Sequence, residues 1–283
     1  MRRRPIPAVK PADLGEALRF LAEGGKPLAG GTDLLVAIRK GTENPPFLVY
    51  VGELPELRVL RETAEGLEVG AALTHAELLA HPATARFPIL RQVLATIGSP
   101  AIRAMGTLGG NLVTASPAGD GLVALYLLEA RVRLVSAAGE RELPVAEFIR
   151  GPRQTALRPG ELVRALFLPY LEGQPLSFFR KVGRRQALVI AVASLGALVW
   201  VEEGRVAQAR LALGSVTPTV LRPREVEQAL VGRPVRPEAW ADLVPLLCAA
   251  TRPISDLRAS AEYRRKVAGR LLLALAQALA SPA

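Results

Sequence analysis

Apolar positions in the first half of the chain recur at helical spacing in some segments and form short runs in others. Residues 10–23 carry leucines on one helical face and stop at a glycine pair, which predicts an amphipathic helix with a glycine C-cap. The apolar run 34–38 predicts a second helix behind a glycine turn. Thr74 precedes Glu77 by three residues, the spacing of a capping box at the start of a third helix.

The remaining pattern predicts an α+β fold. Strands are predicted at residues 27–29, 47–51, 67–71, 162–166, 176–182, 188–201 and 205–214. Further helices are predicted in two pieces within 87–105 and at 223–230, 237–250 and 258–280. The apolar segment 122–134 fits either a helix or a pair of strands. This irregular mixture of strands and helices favours the α+β class over a strict βαβ alternation.

The length predicts two domains. The chain has 283 residues, of which 50% are apolar and 22% charged, an ordinary composition for a folded protein of about two domains. A segment rich in proline and glycine at 169–175 marks a junction. We therefore expect domains at 1–172 and 173–283.

Charge and hydropathy exclude several classes of function. The net charge is +10, but most of the cations are interspersed with acidic residues and few aromatic residues are available to stack on bases, so we expect no nucleic-acid groove. The longest charge-free apolar run, 187–201, is shorter than the ~20 residues of a membrane helix. The N-terminal arginines have no apolar segment behind them, so no secretory signal is predicted and a cytoplasmic location is expected.

Cysteine and histidine usage argues against metal chemistry on this chain. The single cysteine, Cys248, can form neither an intramolecular disulfide nor a protein-held iron–sulfur cluster. We expect it to be a small buried hydrophobic residue. His75 and His81 lack the spacing of metal ligands and are interpreted as surface or capping residues. We predict no metal site and no catalytic residue.

Two glycine loops are the candidate binding elements. Gly30 and Gly31 precede Thr32 and Asp33, and a second pair at 109–110 precedes an asparagine. Paired glycines allow close backbone approach to a ligand and can turn their N–H groups toward phosphate oxygens. Neither loop is a P-loop or a Rossmann fingerprint, and each alone reads as an ordinary turn. Their co-occurrence, followed by an acidic residue that could accept from ribose hydroxyls, makes a dinucleotide site a candidate.

The two loops sit in longer motifs that carry a family resemblance. Residues 29–35 (AGGTDLL), 106–111 (GTLGGN) and 115–120 (ASPAGD) resemble the FAD-binding motifs of the flavin subunit of molybdenum-containing hydroxylases. That family includes the carbon monoxide dehydrogenase medium subunit and the xanthine dehydrogenase flavin domain. The likeness continues through residues 178–185, 211–216 and 262–265 and covers essentially the whole chain.

The resemblance implies a fold and a set of cofactor contacts. The fold would be a FAD-binding domain of the vanillyl-alcohol-oxidase (PCMH) type, with subdomains at about 1–55 and 56–172, and a C-terminal domain of a small antiparallel sheet with helices. The implied FAD-binding residues are Ala29, Gly30, Gly31, Thr32, Asp33, Leu34, Leu35, Thr107, Gly109, Gly110, Asn111, Thr114, Ser116, Asp120 and Lys181. Asp120 would lie near the ribose, and Lys181 near the flavin ring, where a cation favours the reduced flavin. Arg164 departs from the apolar residue that some relatives place against the ring.

The resemblance also implies the function. The chain would pass electrons from iron–sulfur clusters on a small [2Fe–2S] subunit through FAD to NAD, a quinone or oxygen, while a large molybdopterin subunit oxidises the substrate. A dimer of heterotrimers is expected. Two alternatives are a self-sufficient FAD-dependent oxidoreductase and a flavin-free scaffold subunit.

Overall fold

The structure is a computed structural model that describes residues 5–185 and 190–280. Over these residues the strands are β1 (Ala8–Val9), β2 (Lys26–Leu28), β3 (Leu48–Tyr50), β4 (Leu60–Glu62), β5 (Gly66–Gly70), β6 (Arg131–Ser136), β7 (Gly139–Pro144), β8 (Ile149–Gly151), β9 (Gln154–Thr155), β10 (Leu162–Pro169), β11 (Leu176–Val182), β12 (Ala193–Glu202) and β13 (Arg205–Gly214). The α-helices are α1 (Leu14–Ala22), α2 (Leu34–Lys40), α3 (His75–Ala80), α4 (Pro88–Thr96), α5 (Pro100–Met105), α6 (Leu108–Thr114), α7 (Asp120–Leu127), α8 (Val145–Phe148), α9 (Arg224–Leu230), α10 (Pro237–Trp240), α11 (Leu243–Ala250) and α12 (Ala261–Ala280).

The chain forms two compact units, each assembled from three segments. Unit 1 contains the chain up to Ala83, then Ser99–Thr114 and Glu129–Pro169. Unit 2 contains Thr84–Gly98, Ala115–Leu128 and the chain from Tyr170 onward. The sequence analysis expects two domains, each a continuous stretch of sequence, with a boundary after residue 172. That boundary stays a prediction.

Unit 1 is built on two larger sheets of different type and also contains the two-stranded antiparallel sheet of β8 and β9. Strands β1, β3 and β2 form a parallel sheet in that order, and β4, β5, β10, β6 and β7 form a five-stranded sheet whose pairs are antiparallel. Helix α1 contributes Leu18 and Leu21 to a core that also contains Val49 of β3 and Val135 and Leu162 of the larger sheet. This shared apolar cluster joins the two larger sheets through burial of aliphatic surface.

Unit 2 is built on one antiparallel sheet covered by helices. Strands β11, β12 and β13 pair in that order. Leu195 and Leu211 of this sheet share a core with Leu230 of α9, Trp240 of α10 and Leu272 of α12. The buried Trp240 indole donates to the carbonyl of Pro234, so its polar N–H is satisfied within the core.

Several predicted elements are confirmed. Helix α1 follows Asp13, whose carboxylate accepts the N–H of Glu16. The predicted capping box is present, because Thr74 and Glu77 each accept the backbone N–H of the other. The α+β class is confirmed by one parallel and several antiparallel sheets with helices around them.

Other predictions needed correction. Segment 122–134 is neither one helix nor two strands, because α7 ends at Leu127 and β6 begins at Arg131. Every residue of α7 is buried, so the sequence shows no amphipathic period there.

The predicted single helix at 237–250 is divided into the two helices α10 and α11. Pro245 is the third residue of α11. Proline has no backbone N–H to donate, and its ring clashes with the preceding turn of a helix, so it is tolerated only near the helix N-terminus. The predicted start of β12 at residue 188 lies outside the described residues.

Cys248 also differs from the prediction. It is half-buried instead of fully buried, and its Sγ lies 3.4 Å from the carbonyl oxygen of Arg265. Burial raises the pKa of the thiol, although the backbone of Gly269 and the charge of Arg265 act in the opposite direction.

Within the residues that the structure describes, no helix is both long and apolar enough to cross a lipid bilayer.

Candidate dinucleotide site

The first glycine loop of unit 1 approaches another backbone segment very closely. A Cβ built on Gly30 would lie 1.7 Å from the carbonyl oxygen of Met105, so only glycine fits at this position. Gly31 has φ +70°, a left-handed conformation that side-chain-bearing residues rarely adopt. No described residue accepts a hydrogen bond from the backbone N–H of Gly31 or of Thr32. These two amides are therefore donors that a bound anion could use.

The second glycine loop uses its amides internally. Gly109 donates to the carbonyl of Ala71 over 3.1 Å, and Gly110 donates to Thr107 Oγ1 over 3.0 Å. The expectation that both glycine pairs turn their N–H groups toward a ligand is therefore wrong for this pair. Gly109 is buried against Ala71, whereas Gly110 is exposed. The second loop thus offers a bare backbone surface, and its polar contacts must come from side chains.

A hydrogen bond joins the two loops within unit 1. Thr114 Oγ1 lies 3.0 Å from Asp33 Oδ2 and 2.9 Å from the carbonyl oxygen of Gly110. Gly106 directly precedes the second loop in the sequence. It also lies close to the first loop, because a Cβ built on it would lie 3.4 Å from Thr32 Oγ1. The structure therefore brings the predicted residues 30–33 together with residues 107–114.

His75 also belongs to this cluster, which the sequence analysis did not anticipate. It is 3% exposed instead of lying at the surface, and its backbone N–H donates to the carbonyl of Gly106. Its pKa is lowered to about 4, mainly by burial and also by the charge of Arg103, while the charge of Asp33 opposes the shift. Its Nδ1 is buried with no partner in the described part of the chain. No spacing in the sequence relates residue 75 to residue 106.

His81 agrees more closely with the predicted capping role, since its Nδ1 accepts the backbone N–H of Ala83.

Unit 2 contains a buried ion pair between two predicted cofactor residues. Lys181 Nζ lies 2.6 Å from Asp120 Oδ2 and also donates to the carbonyl of Thr96 over 2.8 Å. The two side chains are 12% and 7% exposed. Burial raises the pKa of Asp120, and the neighbouring Lys181 charge opposes that rise. The other carboxylate oxygen, Oδ1, is buried without a partner among the described residues.

The other predicted residues have more local roles. Ser116 Oγ accepts the N–H of Ala118 in the turn that precedes α7. Ala29 packs against the core of unit 1. Leu34 begins α2, a helix with no buried residue, and Leu35 is exposed apart from its contact with Gly31. These leucines are therefore available to a ligand or a partner.

Arg164 departs from a regular strand geometry. It lies at a register shift in β10, and its carbonyl accepts the N–H of Ala71 over 3.0 Å. Its guanidinium binds both carboxylate oxygens of Glu140 at 2.8 Å. The side chain is thus held by an ion pair within unit 1.

The unsatisfied polar atoms test whether FAD fits these residues. Asn111 Oδ1 and Asp120 Oδ1 are buried acceptors without partners in the described chain. Buried acceptors are rarely left unpaired, and phosphate oxygens at neutral pH are themselves acceptors, so these two atoms need hydroxyl or imide N–H donors. The free amides of Gly31 and Thr32 need an acceptor such as phosphate. Within unit 1, the acceptor Asn111 Oδ1 and the donor amides of Gly31 and Thr32 suit a ligand that carries both hydroxyls and a diphosphate, and FAD carries both.

Comparison with known proteins agrees with this assignment. Residues 4–171 match the FAD binding domain in molybdopterin dehydrogenase, and residues 177–279 match the CO dehydrogenase flavoprotein C-terminal domain. The chain is 31% identical over 262 residues to the glyceraldehyde dehydrogenase medium chain of Sulfolobus acidocaldarius, covering 92% of each. It is 32% identical to the carbon monoxide dehydrogenase medium chain of Afipia carboxidovorans, over 92% of this chain and 91% of that one. The crystal structure of cyanide-inactivated Cu,Mo-CO dehydrogenase matches with a TM-score of 0.92 at 29% identity over 98% of both chains.

The fold and its glycine loops thus define a FAD-binding oxidoreductase subunit. The chain belongs to the family of FAD-binding medium subunits of molybdenum hydroxylases, of the carbon monoxide dehydrogenase and xanthine dehydrogenase type. Its cofactor is FAD. Its relatives are medium subunits of multi-subunit complexes.

Proposed function

We propose that the chain holds FAD for electron transfer between the [2Fe–2S] clusters of a small partner subunit and an external acceptor, while a large molybdopterin-binding subunit oxidises the substrate. The single cysteine supports this division of labour, because the chain lacks the thiolates that a cluster requires. A dimer of heterotrimers and a cytoplasmic location are part of the same proposal. When bound, FAD supplies the electron-accepting and electron-releasing chemistry.

The observation that carries the cofactor assignment is the complementarity of the unsatisfied groups. We assign the amides of Gly31 and Thr32 to the diphosphate, because these donors have no acceptor within the described chain. We assign Asn111 to the polyol hydroxyls, because its Oδ1 is a buried acceptor without a donor. Thr107 and Thr114 hold the loops in register through their bonds to Gly110 and Asp33.

The resemblance implies that Asp120 lies near the ribose and Lys181 near the flavin ring, whereas the structure joins their side chains in one ion pair, so we assign the pair as a unit to the cofactor. Asp120 Oδ2 is occupied by Lys181, so Oδ1 remains as the acceptor for a hydroxyl or imide donor. Lys181 adds a cation that is almost removed from water, where electrostatic interactions are stronger than at the surface. A cation there stabilises negative charge on a neighbouring group.

A FAD titration of the purified chain, followed by flavin fluorescence, tests the cofactor assignment. We expect FAD to bind more tightly than FMN, because only FAD offers the diphosphate and adenosine. Gly110→Val should weaken FAD binding at least about tenfold, because its side chain would cover the exposed backbone surface of the second loop. Gly15→Val, at an exposed glycine of α1, is the matched control and should bind normally. Equal affinity of Gly110→Val and Gly15→Val for FAD would refute the placement of the cofactor against the second loop.

The role in electron transfer is tested with the three subunits produced together. We expect a complex that contains molybdenum, iron and FAD, and we expect this chain alone to leave its bound FAD oxidised when it is mixed with candidate substrates. Substrate-dependent reduction of FAD on the isolated chain would favour the self-sufficient oxidoreductase instead. A complex without FAD would favour the scaffold.

A further inference from the structure

One buried histidine of unit 1 has a ring nitrogen without a partner. His75 is 3% exposed and is the first residue of α3, directly after the capping residue Thr74. A neutral imidazole carries one donor and one acceptor nitrogen, but Nδ1 of His75 is buried and no described residue bonds to it. Buried polar atoms are rarely left unpaired. The ring therefore lacks a partner that the described chain does not supply.

The His75 ring lies beside the first glycine loop. A Cβ built on Gly106 would lie 3.4 Å from His75 Cδ2 and 3.4 Å from Thr32 Oγ1, so the imidazole edge and the hydroxyl flank the same point. The backbone N–H of His75 donates to the carbonyl of Gly106 over 2.9 Å, which fixes the start of α3 against this segment. The ring is thus close to Thr32, whose backbone amide is assigned to the diphosphate.

Two charged groups act on the ring from other elements. Arg103 of α5 disfavours a proton on the ring, and Asp33, directly before α2, favours one. Burial and Arg103 together outweigh Asp33 and lower the pKa of His75 to about 4, so the ring is neutral at pH 7. On α3 itself the carboxylate of Glu77 is paired with Arg58. The protein therefore keeps the ring neutral when no ligand charge is present.

A diphosphate bound to the neighbouring amides reverses this balance. An opposite charge within about 4–6 Å moves the pKa of a group by about 1–3 pH units toward its charged form. A protonated ring also gains a second N–H, and phosphate oxygens are strong acceptors for such a donor. Because no described residue bonds to Nδ1 of His75, protonation of this atom breaks no existing hydrogen bond. The ring is therefore suited to gain charge when the site is filled.

We propose that His75 is a proton-linked cofactor-binding residue: its imidazole takes up one proton from the solvent when FAD binds, and the resulting imidazolium donates a hydrogen bond to the diphosphate. One N–H bond forms on the ring, the buffer loses that proton, and no electron is transferred. The inference rests on the proposed function, in which the amides of Gly31 and Thr32 hold the diphosphate. Binding of FAD should therefore strengthen as the pH falls.

Nuclear magnetic resonance of the full chain measures the charge of the ring directly. His75 and His81 are the only histidines of the sequence, so His81→Gln assigns both ring signals. At pH 5.5 we expect the His75 ring to be neutral without FAD and mostly protonated with FAD bound. This measurement needs no substitution of His75, so it does not depend on the folding of a variant. A His75 ring that stays neutral in the FAD complex would overturn the inference.

The pH dependence of FAD binding tests the same linkage. The Kd of the wild type for FAD should fall about tenfold from pH 7.5 to pH 5.5, because we expect the diphosphate to return the pKa of the bound ring to its ordinary value of 6.5. In His75→Gln, whose side chain cannot be protonated, the Kd should change by less than about threefold over this interval. His81→Gln is the matched control and should keep the tenfold change.

The outcomes separate this inference from the proposed function. Equal pH dependence of FAD binding in the wild type and in His75→Gln would overturn the role of His75 while leaving FAD binding, and with it the proposed function, intact. Failure of the wild type to bind FAD at both pH values would instead refute the proposed function and this inference together.

Discussion

The ammonium of Lys181 and the carboxylate of Asp120 form a 2.6 Å ion pair inside unit 2, between residues that are 61 positions apart in the chain. Desolvation makes such a pair costly to form, and removal of one partner leaves a buried charge without compensation. The pair therefore ties the strand β11 to the first turn of α7 while leaving Asp120 Oδ1 for a ligand.

Replacement of one member of this pair should cost more than replacement of both. Lys181→Met should lower the free energy of unfolding of the FAD-free chain by about 3–5 kcal/mol, because Asp120 is left buried and unpaired. The double variant Lys181→Met with Asp120→Asn should recover a large part of that loss. Urea unfolding of the four proteins of the cycle measures both values. Additive losses would show that the two side chains do not interact.

The adjacent glycines of the second loop should respond differently to alanine. Gly109→Ala should destabilise the chain by about 1–3 kcal/mol, because its Cβ would lie 2.6 Å from both the Cβ and the carbonyl oxygen of Ala71. Gly110→Ala should change stability by less than about 1 kcal/mol, because its Cβ meets only Thr107 Oγ1 at 2.9 Å. Thermal unfolding without FAD distinguishes the two variants. Equal shifts would contradict the buried position of Gly109.

His75 should make stability depend on pH. Its pKa is lowered from 6.5 to about 4 in the folded chain, so the unfolded chain binds the proton more readily. The stability due to the neutral ring is complete above pH 6.5 and is lost as the pH falls from 6.5 toward 4, by about 3 kcal/mol in total. Urea unfolding of the wild type and of His75→Gln at pH 7 and pH 4.5 tests this. The free energy of unfolding of the variant should fall distinctly less between pH 7 and pH 4.5 than that of the wild type. Equal losses in the two proteins would show that the His75 ring is exposed to water.

Glu68 should be worth more than an exposed glutamate of the same sheet. Its carboxylate is buried and receives guanidinium groups from Arg61 and Arg133. Glu68→Gln should therefore destabilise the chain by about 1–3 kcal/mol. Glu140→Gln is the control, since Glu140 is half-exposed and pairs with Arg164, and it should cost less than about 1 kcal/mol. Urea unfolding at 0.1 M and 1 M salt, with the control losing its smaller effect at high salt, checks the comparison.

Local signals in the sequence predicted local structure well. The Thr74–Glu77 spacing predicted a capping box because both hydrogen bonds form within one turn. The glutamates and glycine at 202–204 are likewise typical of a hairpin turn, and β12 and β13 pair antiparallel on either side of them. The order and type of the glycine motifs sufficed to identify the family.

Contacts between distant segments could not be predicted in this way. Helix α7 is buried on all sides, so its sequence lacks the period that distinguishes a helix from strands. The backbone N–H of His75 donates to Gly106, and that of Gly109 donates to Ala71, so both bonds join residues far apart in the sequence. These are properties of tertiary packing, and no spacing within one segment encodes them.

The division of each unit into three chain segments has a consequence for biosynthesis. As the chain leaves the ribosome, Asp33 appears 81 residues before its partner Thr114, and unit 1 lacks strand β10 until residue 169 has emerged. Asp120 then waits for Lys181, and the last helix of unit 2 ends at Ala280. Neither unit can be completed before the other has begun, so folding cannot proceed strictly domain by domain during synthesis. The last of the proposed FAD-binding residues, Lys181, emerges only after every segment of unit 1.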